Sequence, residues 1–364
     1  MKSTELISQR FHNQHLSGAP LASPKQAVAW LGAVQSQDYH GAKWALAQRL
    51  DGATNASLDD AFNRGDVLRT HILRPTWHFV TPEDIRWMLQ LTAPRVHRSM
   101  SGFFRQAGLD APALTRHMNV IANGLEGGNA LTRTDIFKEF ERAGIPASGQ
   151  TGGNILMYAE LEGLIANGPL RGRQHTYMLL DERAPAPTST FDRDQALATI
   201  AIRYFQSHGP GTPRDLSWWS SLTLTDCRRA VDVASADLDS VDIDGTTWWA
   251  GEFPAGNPDI ERPHVRLLPN YDEYFSRDGR VERYHGPPTP KLQAFLADDG
   301  RFSGHHIVID GLLRGTWLRQ VNPRAIRVTI DPFDTYTHGE RAAVEAQAAH
   351  HARFMDLTLN LAWT

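Results

Sequence analysis

Cysteine is nearly absent from this sequence of 364 residues, in which Cys227 is the only one. A single cysteine cannot form a disulfide within the chain or supply the thiolates of a zinc cluster, which fits a reducing compartment. Long apolar runs are also absent, since no uncharged segment approaches the roughly 18 residues of a membrane-spanning helix. The first residues, Met1 to Glu5, lack the apolar segment of a secretory signal. These absences predict a cytoplasmic protein with no membrane partner.

Lysine is scarce as well, so arginine supplies most of the 37 basic residues, and 41 acidic residues bring the net charge to −4. A chain without a basic excess lacks the charge balance that is usual for a nucleic-acid-binding domain. Arginine, however, is the cation suited to bidentate contacts with phosphates and bases. Arginines cluster in one stretch, at Arg95, Arg98, Arg105, Arg116, Arg171 and Arg173. A local basic face is therefore compatible with the total charge.

Helix starts of one type recur along the chain and indicate a repeated organisation. Ser23-Pro24, Thr81-Pro82 and Thr212-Pro213 each combine a hydroxyl cap with proline at the first helical position, where its missing N–H costs nothing. In the first segment, β-branched and aromatic residues on either side of Arg74-Pro75 predict a hairpin after the helices. The expected helices are Glu5–His15, Pro24–Val34, Lys43–Leu50 and Leu58–Arg64, and the expected strands are Val67–Leu73 and Thr76–Val80.

The same order of helices and then a hairpin recurs twice. The second copy is predicted to have helices at Thr115–Gly124, Thr132–Ala143 and Asn154–Ile165, a wing tip at 168–175 and a strand at Thr176–Leu180. A Pro-rich linker at 183–188 precedes the third copy. That copy is predicted to have helices at Asp192–Ser207, Pro213–Ser220 and Asp226–Ala234, and a hairpin that turns at Asp244-Gly245. Helices followed by a hairpin make the pattern of a winged helix.

The sequence thus predicts an α+β protein of three tandem winged-helix units, each a helix-turn-helix plus a β-hairpin, over 1–110, 111–183 and 191–262. Residues 263–364 are β-rich before a final helix near Gly339–Leu357, and we expect them to form a small β-barrel-like C-terminal domain. In such a unit the third helix fits the major groove of DNA and the wing lies on the backbone. Winged helices also serve as protein-interaction modules, so topology alone leaves both classes of partner open.

The most unusual local feature is Gln35-Ser36-Gln37-Asp38, at the expected end of a capped helix. Two amides two residues apart point the same way on an extended segment but not on a helix. An amide neither titrates nor attacks, but its carbonyl can orient a water and its NH₂ can hold a phosphate or a base. Taken alone, the pair is also compatible with capping or with a solvated surface.

The other pairs of residues that could form a functional site are more simply explained by packing and structural support than by catalysis or metal binding. Two histidine pairs, His305-His306 and His350-His351, cannot aim both rings at one ion, because neighbours on a strand or a helix diverge. We therefore predict no metal. In Trp218-Trp219 and Trp248-Trp249 we expect one ring to pack in the core and the other to cover an interface, although exposed tryptophan can stack on bases. Asp272 and Glu273 could form an acidic catalytic pair, but we interpret them as residues that support the site or the fold.

Several segments, in the same order along nearly the whole chain, resemble the winged-helix DNA glycosylases of the AlkZ type. The resemblance begins with Leu31–Asp38, which contains the glutamine pair, and Trp44–Leu50. Arg69–His78 is similar to the family's Arg-Gly-Thr-x-His hairpin. The other matching segments are His208–Thr212 with Asp215 and Trp218, Leu267–Tyr274, and Gly311 with Gly315–Trp317.

The resemblance implies an enzyme that excises alkylated purines from double-stranded DNA, particularly N7-substituted guanines. Some members of the family unhook interstrand crosslinks, and some protect organisms that make DNA-alkylating antibiotics. The family's catalytic Gln-x-Gln motif maps onto Gln35 and Gln37. Ser36 replaces the family's aliphatic middle residue and Pro75 replaces the hairpin glycine, so the preferred adduct stays open.

Simple chemistry supports the same reading of the two amides. An N7-alkylguanine is already cationic and leaves readily, so the enzyme needs chiefly to stabilise an oxocarbenium-like sugar and to place a water on its far face. We expect Gln37 to polarise that water and Gln35 to position it or the sugar-phosphate. Strand cleavage would require a desolvated lysine for a Schiff base. Lys43 is the only lysine near the glutamine motif in the sequence, and we interpret it as a phosphate contact. We therefore predict base excision without strand cleavage, and we predict that the enzyme needs no cofactor.

The second wing supplies the best further candidates for DNA contact. Arg171, Arg173, Gln174 and His175 follow a glycine-bearing tip that could enter a groove or follow phosphates. The alternative is a solvated turn. The whole protein is predicted to act as a monomer that associates with the nucleoid when bound to DNA.

Two rival classes remain at this point. A non-catalytic winged-helix transcriptional regulator would bind undamaged sequences, usually as a dimer that reads two half-sites. An inactive relative kept for protein contacts would show neither property. Only the glycosylase requires Gln35 and Gln37.

Overall fold

The computed structural model describes residues 3–184, 186, 190–253, 262–275, 288–297 and 304–364. It shows an α+β protein in which helices alternate with small antiparallel sheets before a larger C-terminal sheet. The predicted linker at 183–188 lies partly outside the described residues. Within the described ranges, no helix is both long enough and apolar enough to cross a membrane.

The first segment follows the predicted order, with one strand added. Its elements are α1 (Ser3–Asn13), α2 (Pro24–Leu31), β1 (Val34–Gln35), α3 (Tyr39–Ala47), α4 (Asn55–Arg64), β2 (Leu68–His71) and β3 (Trp77–Val80). The Ser23 hydroxyl caps α2 by accepting from the Gln26 amide, as the sequence predicts. Helix α2 ends before Val34 because Gly32 takes φ +77°. Val34 and Gln35 therefore join the hairpin as an edge strand, in the order β1-β3-β2.

A long helix, α5 (Ile85–Gln106), follows the hairpin. It begins three residues later than the Thr81-Pro82 pattern predicts. The Thr81 hydroxyl donates to the Asp84 carboxylate at 2.6 Å instead of capping a helix at Pro82. Its first half packs with β2 and β3, whereas Ala93, Val96 and Phe104 pack in the core of the next unit.

The second unit comprises α6 (Ala111–Leu125), β4 (Leu131–Thr132), α7 (Arg133–Arg142), α8 (Gly149–Leu161), β5 (Ile165–Asn167), β6 (Thr176–Leu179) and α9 (Leu180–Arg183). Thr132 and Asp135 form the predicted cap of α7 reciprocally. The predicted helix Asn154–Ile165 is displaced toward the N-terminus, because Ile165 pairs with Leu179 in a sheet of order β4-β6-β5.

The third unit comprises α10 (Arg193–His208), α11 (Pro213–Ser220), α12 (Leu224–Ala234), β7 (Asp239–Ile243) and β8 (Thr246–Ala250). Helix α11 has the predicted bounds, since Thr212 and Asp215 form a capping box before Pro213. Asp244 and Gly245 both have positive φ, as a two-residue hairpin turn requires. The predicted hairpin is thereby confirmed.

The C-terminal domain is an open sheet, so the expected barrel is wrong for the described residues. Its elements are β9 (Val265–Leu268), α13 (Pro290–Ala297), β10 (His305–Ile309), β11 (Leu312–Val321), β12 (Ala325–Pro332), α14 (His338–Phe354) and β13 (Thr358–Trp363). The strand order is β13-β12-β11-β10-β9, which leaves β9 and β13 at opposite edges. The helix α14 packs against both of them instead. Strand β13 follows the helix and pairs in parallel with β12, so it extends the sheet rather than closing it.

The first unit and the C-terminal sheet share one hydrophobic core. Trp44 on α3 is fully buried, and its indole N–H donates to the Leu267 carbonyl on β9 at 2.6 Å. Arg49 forms a buried ion pair with Asp272 just after that strand, with N–O distances of 2.8 and 2.9 Å. The segment after β9 is thereby fixed against the first unit, next to the glutamine motif.

Buried histidines make this fold sensitive to acid. Burial lowers the pKa of His78 and of His305 to about 3, and the pKa of His175 and of His306 to about 4. The unfolded chain binds protons at these histidines near pH 6.5, whereas the folded chain does so only near pH 3 to 4. Their contribution to stability is therefore present above about pH 6.5 and is lost as the pH falls toward their folded-state pKa values.

We accordingly expect the melting temperature to fall steeply between about pH 6.5 and 4, with about 1.4 kcal/mol of unfolding free energy lost per pH unit for each such histidine. Thermal melts across this range measure it. In His78→Gln, the dependence of the unfolding free energy on pH should be less steep than in the parent protein, by the equivalent of about one proton. A melting temperature that stays constant down to pH 4.5 would contradict the expectation.

Candidate active site

The glutamine motif leaves α2 as an extended segment at the edge of the first sheet. Gln35 pairs with His78 on β3, and its side chain is half-buried. Gln37, two residues on, is exposed, and its carbonyl accepts from the Trp77 amide at 3.4 Å. The extended geometry that the sequence predicted for the two amides is present for Gln35.

The backbone of the motif is held from three sides. The Gln35 amide donates to the Glu273 carboxylate at 2.7 Å, and the Ser36 amide donates to the Trp77 carbonyl at 2.7 Å. The Ser36 carbonyl accepts from the Arg69 guanidinium at 3.1 Å. The Ser36 side chain is fully buried and its hydroxyl has no hydrogen-bond partner among the described residues. Nothing in these contacts requires the hydroxyl.

The end of the motif is tied to the C-terminal domain. Asp38 caps α3 by accepting from the Gly41 amide at 3.0 Å, and its second oxygen accepts from Arg319 on β11 at 2.8 Å. Since Glu273 also comes from that domain, the motif is clamped between two parts of the chain about 240 to 280 residues further on. A site held this way is preorganised.

Arg74 fixes the orientation of the Gln35 amide. Its guanidinium donates to the Gln35 carbonyl oxygen at 3.0 Å and to the Trp219 backbone carbonyl at 2.6 Å. Because arginine has only donors, the amide atom that faces it must be the oxygen, and the Gln35 NH₂ is directed away from it. That NH₂ makes no hydrogen bond within the described residues.

His78 supports this arrangement as a neutral side chain. Burial and then the charge of Arg74 lower its pKa to about 3. Its Nδ1–H can donate to the Thr76 carbonyl at 2.9 Å, which leaves Nε2 to accept from Arg74 at 3.2 Å. The guanidinium is thus held by three acceptors.

Glu273 is the buried anion beneath the motif. It accepts from the Gln35 amide, from the Trp219 indole at 2.9 Å and from His208 at 3.3 Å. Burial opposes its ionisation, but the hydrogen bond and charge of His208, the charge of Arg74 and the Gln35 N–H hold its pKa at about 2. An ionised carboxylate therefore lies within one hydrogen bond of the motif at neutral pH. Asp272 accepts from two N–H groups of Arg49, and both Asp272 and Glu273 are 1% exposed, so neither carboxylate faces the surface.

The second unit reaches the hairpin from the other side. Glu160 on α8 accepts from the Trp77 indole at 3.3 Å and forms a short hydrogen bond with His71. The Arg69 guanidinium stacks on Trp77 at 4.3 Å. The hairpin that carries Arg74 is consequently fixed by contacts with the second unit as well as the third.

Lys43 is not where a phosphate contact would be. Its side chain is 2% exposed, and its ammonium pairs with Asp59 at 2.6 Å and lies 4.9 Å from the Tyr39 ring centroid. Helix α3 begins at Tyr39, four residues before its predicted start, so Lys43 falls on an interior turn. The structure corrects this expectation, because a buried, neutralised ammonium cannot bind DNA.

The four candidate residues on the second wing differ in their exposure to solvent. Arg171 is exposed but pairs with Asp135 at 2.8 Å, and Arg173 and Gln174 are exposed at the tip. His175 turns inward, where its ring packs against Tyr39 at 4.7 Å, and burial lowers its pKa to about 4. Only the tip side chains are oriented for contact with a large ligand.

Sequence reasoning missed the residues that support the glutamines. In the sequence, Arg74 lies in a predicted turn within the hairpin Arg69–His78, and Glu273 lies in the acidic pair Asp272-Glu273. Neither pattern indicates the contact with Gln35. Within the described parts of the chain, no group of three or more His, Cys, Asp and Glu side chains is arranged to hold a metal ion.

Comparison with known proteins identifies the class of enzyme to which this chain belongs, a family of DNA glycosylases. The sequence model of the AlkZ-like family, described as "DNA glycosylase AlkZ-like", matches residues 28–354. The chain belongs to this family and is an enzyme that acts on N-glycosyl bonds in DNA repair.

Among solved structures, Streptomyces sahachiroi DNA glycosylase AlkZ is similar in fold, with a TM-score of 0.77. The two chains share 20% sequence identity, and the alignment covers 100% of each. No curated protein matches the chain significantly.

Proposed function

We propose that this DNA glycosylase hydrolyses the N-glycosidic bond of alkylated purines in double-stranded DNA, N7-alkylguanines first among them. The observation that carries the proposal is the pair formed by Gln35 and Arg74, in which the amide carbonyl of Gln35 faces the guanidinium and its NH₂ is directed away from it. A neutral donor and a neutral acceptor suffice for a substrate whose base is already cationic, because departure of the base needs little acid assistance.

The two glutamines have different roles in this mechanism. Gln35 donates from its NH₂ to the sugar-phosphate and fixes the nucleotide. Gln37 is exposed, and its carbonyl is engaged only by the long contact with the Trp77 amide, so it keeps acceptor capacity for the attacking water. The buried Glu273 carboxylate favours the positive charge that develops on the sugar.

We also propose that the reaction leaves the strand intact. A Schiff-base mechanism requires a lysine amine that is free to attack the sugar. Among the described lysines, Lys43 is paired with Asp59, Lys25 with Glu83 and Lys291 with Asp331, and Lys138 lies on α7 in the second unit. None of these four lysines forms a hydrogen bond or an ion pair with the glutamine motif.

For the architecture, we propose three winged-helix units and a C-terminal domain over the ranges 1–110, 111–183, 191–262 and 263–364. Each of the first three ranges contains at least three helices and a β-hairpin, which supports this reading. Helix α5 lies before the first boundary and contributes residues to the cores of both the first and the second unit. The exposed Arg173 and Gln174 on the second wing are proposed to contact DNA, with Arg171 released from Asp135. We further propose that the enzyme acts as a cytoplasmic, nucleoid-associated monomer.

The test is release of free base from a duplex that carries one N7-methylguanine and, in parallel, from a duplex with a bulky intercalating N7-guanine adduct. We expect free base and a strand that breaks only after hot alkali. Release of the bulky base as well would indicate an open site and a role in self-resistance to a genotoxin or in crosslink unhooking. The proposal fails if neither base is released, or if borohydride traps a covalent enzyme–DNA product.

A further inference from the structure

Two adjacent tryptophans on α11 have opposite environments. Trp219 is 1% exposed and donates its indole N–H to Glu273, whereas the side chain of Trp218 is 39% exposed. A single exposed aromatic side chain is common on protein surfaces, so its position relative to the glutamine motif decides what it can do. Trp219 accounts for the core packing of this segment, so Trp218 is the ring that core packing does not explain.

The exposed indole lies at the glutamine site, although it comes from a different unit. The Arg74 guanidinium lies 5.4 Å from the Trp218 ring centroid. The same guanidinium donates to Gln35 at 3.0 Å and to the backbone carbonyl of Trp219. Gln35, Arg74 and Trp218 therefore form a continuous row, which we call the Trp218 platform, with an amide at one end and an indole at the other.

We propose that Trp218 is a stacking surface for the modified purine next to the bond that is hydrolysed. A purine ring and an indole are both planar and apolar on their faces, and such stacking is strong and tolerant of base identity. An indole face also attracts a cationic ring, which an N7-alkylguanine is and an intact guanine is not. The platform would thus contribute to selection of the lesion, a step that the two glutamines do not explain.

The charge of Arg74 does not oppose this role. Glu273 is ionised beneath the site and its negative charge acts on Arg74, so the positive charge within the platform has a buried negative counterpart next to it. The inference rests on the proposed function, since it takes Gln35 and Gln37 as the reaction centre.

The test measures binding rather than cleavage, so that it can fail independently of the glycosylase assay. The probe is a duplex with a single 2′-fluoro-N7-methylguanine, whose glycosidic bond resists hydrolysis, compared with the same duplex without the lesion. The variants are Trp218→Leu and Trp218→Phe. Phe103→Leu is the matched control, because Phe103 is a 54% exposed aromatic on α5 with no contact to the glutamine motif.

We expect Trp218→Leu to weaken binding of the lesion duplex about 5- to 150-fold, the range of base–aromatic stacking, and to change binding of the undamaged duplex far less. Trp218→Phe should retain most of the affinity, and Phe103→Leu all of it. Equal weakening on both duplexes, or none on either, overturns the proposal. If Trp218→Leu melts lower than the parent, binding is measured at a temperature at which the variant is fully folded, and the same outcomes on the two duplexes decide.

The two hypotheses can fail separately. If the parent protein releases no base but Trp218 still governs affinity for the lesion duplex, the platform stands and the proposed reaction fails. If base release is normal and lesion affinity does not depend on Trp218, the reaction stands and the platform is wrong.

Discussion

Gln37→Ala is expected to reduce single-turnover release of N7-methylguanine by about 10²- to 10³-fold, the usual effect of removing one preorganised polar group from a catalytic site. The amide is exposed, and the fold is held by the Ser36 backbone and by Arg69 rather than by the Gln37 side chain. The melting temperature should therefore stay within about 1 °C of the parent. A rapid-quench assay with enzyme in excess over duplex measures the chemical step.

The informative control is another exposed glutamine, Gln195 on α10. Gln195→Ala should leave both the single-turnover rate at saturating enzyme and the DNA affinity unchanged. A Gln37→Ala enzyme that works at the parental rate would show that the water is placed by another group.

The second large effect concerns stability. Arg49 and Asp272 form a fully buried ion pair between the first unit and the C-terminal domain, and Arg49 also donates to the Gln14 side chain and backbone and to the Ala45 carbonyl. Arg49→Ala leaves an uncompensated carboxylate in the interior, which costs about 3–5 kcal/mol of unfolding free energy. Arg49→Lys should recover little, because an ammonium cannot reproduce the bidentate geometry.

Arg229→Ala serves as the matched control. Arg229 pairs with Asp194 at the surface, where the side chains are 60% and 45% exposed, so its loss should cost no more than about 1 kcal/mol. Urea unfolding of the parent and both variants gives the comparison. Similar costs for Arg49→Ala and Arg229→Ala would mean that the buried pair does not hold the two domains together.

Local chemistry in the sequence predicts much of this fold. A Ser or Thr cap followed by proline predicts the starts of α2 and α11 correctly. The pair Asp244-Gly245 predicts the hairpin of the third unit. In each case the interactions that decide the element lie within four residues of one another, so they are visible in the sequence.

The wrong or missing predictions concern features that depend on contacts between segments far apart in the sequence. Lys43 is buried because Asp38 starts α3 early and Asp59 neutralises the ammonium. The barrel is an open sheet because β13 pairs in parallel with β12 after a 17-residue helix. The contact between Gln35 and Glu273 joins residues 238 positions apart, and no local pattern reports such a contact.

In the candidate site, too, the sequence predicts the features that depend on neighbouring residues and misses those that depend on distant ones. The sequence and its family resemblance identify Gln35 and Gln37, whose spacing is local. Arg74, which determines how Gln35 is oriented, acts through a side-chain contact made possible by the pairing of β1 with β3. The direction of each amide is a property of the folded site.

That direction is tested most directly by replacing each glutamine with glutamate and measuring single-turnover base release from the N7-methylguanine duplex at saturating enzyme. Gln35→Glu keeps the partner of Arg74 but loses the NH₂ donor, so its rate should fall by about 10²-fold or more. Gln37→Glu keeps an acceptor for the water, so its rate should remain within about 10-fold of the parent. The opposite order, with Gln35→Glu active and Gln37→Glu inactive, would contradict the assignment of Gln35 as the donor and Gln37 as the residue that holds the water.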